Sequence, residues 1–420
     1  MKKERAASCI DAFEADAISV DDARKTIFTK IIPIKETEEL AIRDCLKRHL
    51  AYQVISPIDV PPHTNSAMDG YAIAGIDLPT NEAKVYKVSG ASFAGIPSSE
   101  KYQAGSVIRI MTGGVMPAGT DTVIPQELTE VLDGKCIKIE AEHKIGQNVR
   151  HPGEDLIKGS KIFSPGRRLS AADIGILASL GIGEIKVKRR PRVAFFSTGD
   201  ELRSIGDDLK EGEIYDSNRY TLFAMLKNLD VEILDLGVIP DTQEDITKAF
   251  INASENADLF ISTGGVSVGE ADFIKPTLKA LGNTHFWKIA VKPGRPLTFG
   301  DVNKRWFFGL PGNPVAVMVT FLQFVQPAIK YLASGIIKKP ITLKAKCNED
   351  IYKRPGRTEY LRGVFEQTAT GEFEVKRTGK QGSGILMSMS LANCFIHMPN
   401  DSSGVQAGDS VEIQPFTNVI

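Results

Sequence analysis

Three glycine-containing segments of the chain carry residue types that suit the binding of an anion. They follow short apolar runs, at residues 197–201, 262–269 and 309–314. Glycine lets the backbone approach a ligand closely, and consecutive backbone N–H groups can surround a phosphate. One such turn is common in ordinary loops, but three at one sheet edge favour a phosphate site. The residues predicted to bind the phosphate-bearing ligand here are Ser197, Thr198, Gly199, Thr263, Gly264, Gly265, Ser267, Gly269, Pro311 and Pro314.

Acidic side chains crowd the same segments and predict a magnesium site. Carboxylates beside phosphates typically share Mg²⁺ with phosphate oxygens and water molecules. Each carboxylate on its own could equally be a solvated turn residue or a helix cap. The predicted magnesium ligands are Asp200, Glu201, Asp241 and Asp272.

Two cations, Lys292 and Arg295, lie in a segment that also contains two prolines and a glycine, residues 291–296. Proline and glycine restrict the course of a loop, so both cations are predicted to face a bound anion. The alternative is that both are ordinary surface charges.

The segments that must position these residues alternate between strand and helix. The pattern predicts strands at residues 192–196, 231–238, 258–262 and 307–310, and helices at 215–229, 242–253, 272–281 and 315–332. The continuous apolar run at 192–196 is typical of a strand that is covered on both faces. Such alternation predicts an open, mostly parallel α/β sheet, in which ligands bind beyond the carboxyl ends of the strands.

The flanking parts of the chain show different patterns. Short alternating runs between glycine and proline turns indicate β structure, and helical patterns begin at Ser19 and Ser170. After residue 335 only short strand candidates follow. We therefore predict a multidomain α/β protein. It would comprise a mixed α+β N-terminal region at 1–188 with a β-rich subdomain inserted at about 57–150, a central α/β domain at 189–335 and a small C-terminal β domain at 336–420.

Composition excludes several classes of partner. The 420-residue chain has a formal net charge of -1, so no overall field attracts nucleic acid or an anionic membrane. Its five cysteines are widely spaced, which indicates reduced thiols. The N-terminus lacks the apolar core of a signal peptide, and polar residues interrupt the longest apolar stretch, at 314–329. We expect a soluble, cytoplasmic protein with no nucleic-acid or membrane partner.

Longer motifs add a resemblance to a known family. They lie at residues 65–72, 109–114, 146–150, 153–155 and 379–384. The three glycine turns resemble the molybdopterin-binding domain, which also occurs in molybdopterin adenylyltransferases. The N-terminal motifs are similar to those of the MoeA family of molybdopterin molybdenumtransferases, and this resemblance covers roughly residues 12–415.

The resemblance implies an activity and an assembly. Enzymes of this family take adenylylated molybdopterin, cleave its pyrophosphate with Mg²⁺, release AMP and place molybdate, the co-substrate, on the dithiolene. An upstream molybdopterin adenylyltransferase would supply the substrate. In a homodimer, the N-terminal motifs would face the central domain of the second subunit. The catalytic residues so implied are Asp69, Thr112, Arg150, Asp155 and Glu201, and Ser383 is implied in substrate binding.

The chain departs from the family pattern at a few positions. Arg295 stands where lysine is common, so a planar fork replaces a point charge. His63 and Thr64 stand where an aromatic residue and an acid are commoner. Two other functions stay open: transfer of an adenylyl group from ATP to molybdopterin, and a non-catalytic scaffold related to gephyrin. The motifs before residue 190 argue against a stand-alone adenylyltransferase.

Overall fold

The chain folds into two units in the computed structural model, which describes residues 17–133, 135–265 and 273–416. Among these residues, the larger unit contains 17–38, 47–49 and those from 187 onward, and the smaller unit contains those within 39–46 and 50–186. The segment before residue 38 thus belongs to the larger unit, although the sequence pattern groups it with the N-terminal region. The division into three domains at 188/189 and 335/336 stays a prediction.

The first two helices begin at capping residues that the sequence marks. Ser19 accepts a hydrogen bond from the backbone N–H of Asp22 at 3.0 Å, and Ser170 forms a reciprocal capping box with Asp173. These bonds satisfy N–H groups that have no partner inside the helix. A π-helical turn, Phe321–Val325, joins the sixth helix to the seventh. Within the described residues the α-helices are α1 (Val20–Lys30), α2 (Ala171–Ser179), α3 (Ser217–Lys227), α4 (Gln243–Asn256), α5 (Ile274–Leu281), α6 (Pro314–Thr320), α7 (Gln326–Ser334) and α8 (Met387–Ser390).

Short strands dominate the smaller unit. The strands up to residue 188 are β1 (Thr37–Ala41), β2 (Val54–Ile55), β3 (Asn65–Ser66), β4 (Gly70–Ile73), β5 (Lys84–Ser92), β6 (Ser106–Ile110), β7 (Thr122–Pro125), β8 (Thr129–Val131), β9 (Cys136–Ile139), β10 (Val149–Arg150), β11 (Lys161–Phe163) and β12 (Glu184–Lys188). Six of them form a mixed sheet in the order β7-β4-β6-β5-β9-β8. Its buried core includes Tyr71, Tyr86 and Ile124. Strands thus occupy much of residues 57–150, while the assignment of this segment to an inserted subdomain stays a prediction.

A second six-stranded sheet lies at the centre of the larger unit. The strands from 192 to 310 are β13 (Arg192–Thr198), β14 (Leu202–Arg203), β15 (Ile214–Tyr215), β16 (Glu232–Ile239), β17 (Leu259–Thr263), β18 (Gly282–Phe286), β19 (Val291–Lys292), β20 (Thr298–Val302) and β21 (Arg305–Leu310). The order in the sheet is β16-β13-β17-β21-β20-β18. The first four strands are parallel, whereas β20 and β18 are antiparallel to their neighbours. The predicted mostly parallel sheet is thus confirmed in part.

The two antiparallel strands escape prediction because glycine and polar residues leave no continuous apolar run in either of them. A Cβ built on Gly282 would lie 1.9 Å from the carbonyl oxygen of Asp301, and one on Gly300 would lie 2.4 Å from that of Asn283. The two backbones therefore approach too closely for any side chain at these positions. Glycine in a strand interior often marks such an approach and weakens the strand signal in the sequence.

Both faces of the central sheet are buried. Along β13, Val193 and Phe195 join one core with α1, α3, α6 and α7, while Ala194 and Phe196 join the other with α4 and α5. A strand covered on both faces has no polar side to alternate with, which explains the continuous apolar run in the sequence.

The C-terminal strands form a small barrel. They are β22 (Leu343–Cys347), β23 (Ile351–Tyr352), β24 (Thr358–Gln367), β25 (Phe373–Arg377), β26 (Cys394–Met398), β27 (Gly404–Val405) and β28 (Ser410–Pro415). Five strands close a ring, since β24 pairs with both β25 and β26, and β22 and β28 complete the circuit. The ring encloses its own apolar core, which includes Cys347, Ile396 and Ile413. The prediction of a C-terminal β domain is confirmed.

One helix in the described part of the chain, Pro314–Ser334, is long and apolar enough to cross a membrane. Within the structure, 78% of its apolar window is buried. A helix that is apolar all round and buried in this way is typical of a protein core.

Phe250 offers a test of the packing on the α4 side of the sheet. It is fully buried, and its ring contacts those of Phe196, Phe260 and Phe307. Phe250→Ala should lower the free energy of unfolding of the larger unit by about 3–5 kcal/mol, because it leaves a cavity. Denaturant titration of tryptophan fluorescence would measure this, since Trp287 and Trp306 both lie in this unit.

The matched control for that substitution is Phe223→Ala, since Phe223 on α3 is 39% exposed. It should cost about 1 kcal/mol or less, because substitutions at exposed positions leave no internal cavity. Equal losses in the two variants would contradict the described packing.

Candidate functional site

The three glycine turns meet at the carboxyl edge of the central sheet. β13, β17 and β21 run parallel, so the chain leaves Thr198, Thr263 and Leu310 at the same edge. Gly264 has a φ of +88°, and a Cβ built on it would lie 2.1 Å from the carbonyl oxygen of Thr198. Only glycine allows this approach. A Cβ on Gly312, in the third turn, would lie 4.0 Å from the Cα of Gly264. The prediction that the turns share one sheet edge is confirmed.

The hydroxyl groups of this region are of two kinds. Thr263 donates to the carbonyl oxygen of Pro311 at 3.2 Å, so its proton ties the second turn to the third and is not directed at a ligand. Ser197 and Ser262 are fully buried, and their hydroxyl oxygens have no hydrogen-bond partner among the described residues. Because a buried polar group without a partner is costly, these are the donors that the protein itself leaves unused.

One residue of this region, Asn218, is missed by the sequence-based prediction. It lies in the first turn of α3 and donates to the hydroxyl oxygen of Thr263 at 3.1 Å and to the carbonyl oxygen of Gly312 at 2.7 Å. The partners lie 45 and 94 residues away in sequence, so no local pattern connects them. The signal that the sequence does contain is the polar run from Asp216, which marks the helix start and does cap α3.

Three of the predicted magnesium ligands lie around the first turn. The hydroxyl group of Thr198 donates to the carboxylate of Asp241 at 3.3 Å. Burial raises the pKa of Asp241 above its ordinary value, the bond from Thr198 opposes this, and the negative charges of Asp200 and Glu201 add to the rise. The Glu201 carboxylate lies against Gly199, where a Cβ would be 2.6 Å from one of its oxygens. The charges of Asp200 and Glu201 therefore act on the carboxylate of Asp241.

These carboxylates do not complete a metal site on their own. Within residues 17–133, 135–265 and 273–416, no three His, Cys, Asp or Glu side chains are arranged to hold a metal ion. The fourth predicted ligand, Asp272, and the predicted ligand-binding residues Ser267 and Gly269 lie outside the described residues. The predicted set of four magnesium ligands stays a prediction.

The loop that carries Ser383 is fastened to the third turn. The carbonyl oxygen of Ser383 accepts a hydrogen bond from the backbone N–H of Val315 at 3.0 Å, in the first turn of α6. Arg362, only 1% exposed, donates to the carbonyl oxygen of Gly382 at 3.2 Å and to the hydroxyl group of Ser388 at 3.1 Å. Burial lowers the pKa of Arg362 to about 10. The sequence analysis does not identify Arg362, because no local pattern distinguishes it from the other arginines of the chain.

The loop with the two predicted cations packs against α6. Gly294 has a φ of +109°, and a Cβ there would lie 2.4 Å from the side chain of Thr320. The ammonium group of Lys292 lies 3.3 and 3.4 Å from the two carboxylate oxygens of Glu359, as the pairing of β19 with β24 requires. Lys292 is thus already paired, and a ligand anion would share its charge with Glu359. Arg295 lies in the same loop.

In the smaller unit, Asp69 and Thr112 are joined directly. The backbone N–H and the hydroxyl group of Thr112 donate to the same carboxylate oxygen of Asp69, at 2.7 and 2.8 Å. These bonds hold the pKa of Asp69 below its usual range, and the charge of Arg109 adds to the effect. Asp69 is therefore a partly exposed, ionised carboxylate with a fixed orientation.

Backbone interactions position Arg150 and Asp155. β3 pairs with β10, which sets Arg150 opposite Asn65, and the backbone N–H of Asp155 donates to the carbonyl oxygen of Val60 at 2.9 Å. Both side chains are exposed. The first and second motifs of the smaller unit, 65–72 and 109–114, meet as well, since the N–H of Gly113 donates to the carbonyl oxygen of Ser66 at 2.8 Å.

Three family descriptions match consecutive parts of this chain. The MoeA N-terminal region (domain I and II) matches residues 18–181. A probable molybdopterin binding domain matches residues 194–331 and so includes the three glycine turns. The MoeA C-terminal region (domain IV) matches residues 344–416, which contain the barrel.

Individual relatives extend over nearly the whole chain. A molybdopterin molybdenumtransferase of Haemophilus influenzae is 42% identical and covers 96% of this chain and 100% of its own length. Gephyrin of Dictyostelium discoideum is 32% identical and covers 95% of this chain and 62% of its own length. A crystal structure of the molybdopterin biosynthesis protein MoeA from Pyrococcus horikoshii covers 96% of this chain and 100% of its own, with a TM-score of 0.83 and 30% identity. The chain belongs to the MoeA family of molybdopterin molybdenumtransferases.

Proposed function

We propose that this protein inserts molybdate into adenylylated molybdopterin. Water attacks one phosphorus of the pyrophosphate, the phosphoanhydride bond breaks, and AMP and the phosphate ester of molybdopterin result. The two dithiolene thiols then replace one oxygen of molybdate, and that oxygen leaves as water with the two thiol protons. The observation that carries the proposal is the meeting of three glycine turns beside acidic residues, in a chain of this family.

The turns supply what a pyrophosphate needs. Backbone N–H groups after β13, β17 and β21 stand at one sheet edge, where a helix N-terminus also favours negative charge. α6 begins at Pro314, directly after the third turn. Donors that are fixed before the ligand arrives need no rearrangement as charge develops on the phosphate oxygens.

The acidic residues suit Mg²⁺, which takes one or two protein carboxylates together with phosphate oxygens and water. Asp200, Glu201 and Asp241 would hold it in part, consistent with the mutual effect of their charges on Asp241. Bound there, Mg²⁺ would neutralise the phosphate charge. Glu201 would orient the attacking water, because its carboxylate lies on the first turn, beside Gly199.

Asp69 acts as an ionised carboxylate in this proposal. Its lowered pKa excludes a role as a proton donor near neutral pH. It can accept hydrogen bonds from the substrate or from water, and Thr112 holds it in place. Arg150 and Asp155 would contribute side chains from the same unit.

The cations and Ser383 would receive molybdate, which is a tetrahedral dianion. Lys292 and Arg295 lie in the loop against α6, and the loop of Ser383 is held to the start of the same helix. Arginine can offer two parallel N–H groups to one oxyanion, whereas lysine offers a point charge. Arg295 would therefore fix the orientation of molybdate as well as attract it.

The site of the proposal is shared between two subunits of a homodimer. Asp69, Thr112, Arg150 and Asp155 of one subunit would face the glycine turns of the other, so a closed two-fold dimer holds two such sites. We infer further that the protein acts in the cytoplasm and receives its substrate from a molybdopterin adenylyltransferase.

The proposed reaction has a direct test. Purified protein with adenylylated molybdopterin, molybdate and Mg²⁺ should release AMP and form molybdenum cofactor in equal amounts, and removal of Mg²⁺ by a chelator should stop both. Chromatography would measure AMP, and reconstitution of a cofactor-free molybdenum enzyme would measure the product. Adenylylation of molybdopterin from MgATP would instead identify an adenylyltransferase, and no turnover with either substrate would identify a scaffold.

Substitutions of Asp69 and Thr112 should lower the rate of AMP release by different amounts. Asp69→Asn keeps the shape but removes the charge, and AMP release should fall by about 10²-fold or more. Thr112→Val removes one of two donors, so the rate should fall about tenfold and the pKa of Asp69 should rise. Rates of AMP release and a carboxylate NMR titration would measure these effects.

The control is Thr129→Val, which removes a hydroxyl bonded to Gln126 in the same unit. An active Asp69→Asn variant would exclude Asp69 from the site.

A shared site predicts complementation between inactive variants. Asp69→Asn and Glu201→Gln homodimers should each be nearly inactive. A heterodimer of the two would carry one site with both changes and one intact site, and should recover about half of the normal activity. Co-expression with two different affinity tags would isolate this heterodimer. A purified heterodimer as inactive as its parents would show that Asp69 and Glu201 of one chain serve the same site.

A further inference from the structure

Asn218 connects the two glycine turns that follow β17 and β21. Its side-chain nitrogen lies 3.1 Å from the hydroxyl oxygen of Thr263, in the second turn, and 2.7 Å from the carbonyl oxygen of Gly312, in the third. The position of α3 thereby affects the spacing of the two turns.

The direction of these hydrogen bonds is fixed by their partners. The carbonyl oxygen of Gly312 can only accept, so the group of Asn218 that faces it is the NH₂. The hydroxyl proton of Thr263 goes to the carbonyl oxygen of Pro311 at 3.2 Å, so its oxygen is left to accept from Asn218. The three bonds form a consistent chain from α3 through the second turn into the third.

Beyond the strand pairing that ends at Thr263 and Leu310, and the bond from Thr263 to Pro311, little else sets the spacing of the two turns. They approach through glycines, and a Cβ on Gly312 would still lie 4.0 Å from the Cα of Gly264. The other polar atom of the Asn218 side chain, its oxygen, is buried with no hydrogen-bond partner among the described residues. Since that arrangement costs stability, the side chain is better explained by what its nitrogen holds than by its contribution to folding.

We propose that Asn218 is a positioning residue that fixes the distance between the second and third glycine turns, so that both can hold one pyrophosphate. The inference rests on the proposed function, because it assumes that these turns bind the substrate. Catalytic arrangements tolerate displacements of only about 0.5 Å. Loss of Asn218 should therefore weaken substrate binding and transition-state stabilisation together, while the fold stays intact.

The test compares Asn218→Ala with Asn228→Ala, the same substitution at the other end of the same helix. Asn218→Ala should raise KM for adenylylated molybdopterin and lower kcat/KM by about 10–100-fold. It should weaken AMP binding, measured by calorimetry, by about tenfold. Its melting temperature should stay within a few degrees of the wild type. The control variant should match the wild type in KM, kcat/KM and AMP binding.

Thr263→Val supplies an independent arm, since it removes the hydroxyl that accepts from Asn218. It should weaken AMP binding, and the loss in the double variant should be smaller than the sum of the two single losses, because both changes remove the bond between Asn218 and Thr263. Asn218→Asp, which keeps the shape but places a carboxylate against the carbonyl of Gly312, should behave like Asn218→Ala and serves if the latter does not fold.

The results distinguish a wrong proposed function from a wrong positioning role of Asn218. If the wild type shows no AMP release, the proposed function is wrong. If the wild type is active but Asn218→Ala and Asn218→Asp bind AMP and turn over normally, the positioning role is wrong. Additive effects of the Asn218 and Thr263 changes would also overturn it, and so would a loss of melting temperature with unchanged KM.

Discussion

The close contact between Gly264 and the carbonyl oxygen of Thr198 is the constraint on which the site depends. A side chain at Gly264 would place its first carbon 2.1 Å from that oxygen, which no packing adjustment accommodates. The left-handed φ of +88° adds a second reason for glycine. The contact presses the turn after β17 onto the end of β13, and so determines where the backbone N–H groups of both turns lie.

That constraint is useful only because the sheet beneath it is rigid. β13, β17 and β21 are neighbours in parallel register, and both of their faces are packed, against α1, α3, α6 and α7 on one side and α4 and α5 on the other. A packed sheet holds the ends of its ligand-binding loops in fixed positions. The barrel contributes one further loop, whose Ser383 is held at the start of α6. The acidic first turn and the cationic loop then give the region the mixed charge that a metal–phosphate ligand requires.

The sequence predicts those parts of the site whose signal is local. Glycine turns after apolar runs, the helix caps at Ser19 and Ser170, and the strands of the C-terminal domain are all visible in short windows. Contacts between distant residues are not visible there, and Asn218 and the paired state of Lys292 with Glu359 are of that kind. β18 and β20 escape for a different reason, because glycine and polar residues leave no continuous apolar run in either strand. The motif around Asp69 is recognisable only as a family resemblance, since an aspartate before a glycine is by itself an ordinary turn.

A crystal structure of the protein with AMP, Mg²⁺ and molybdate would test the central claim most directly, which is that the three turns form one phosphate site. The account predicts that the phosphate of AMP lies within hydrogen-bond distance of backbone N–H groups in at least two of the turns at 197–201, 262–265 and 309–314. Mg²⁺ should lie beside the carboxylates of Asp200, Glu201 or Asp241, and molybdate beside Arg295. AMP bound away from all three turns, with its phosphate on another surface of the protein, would contradict it.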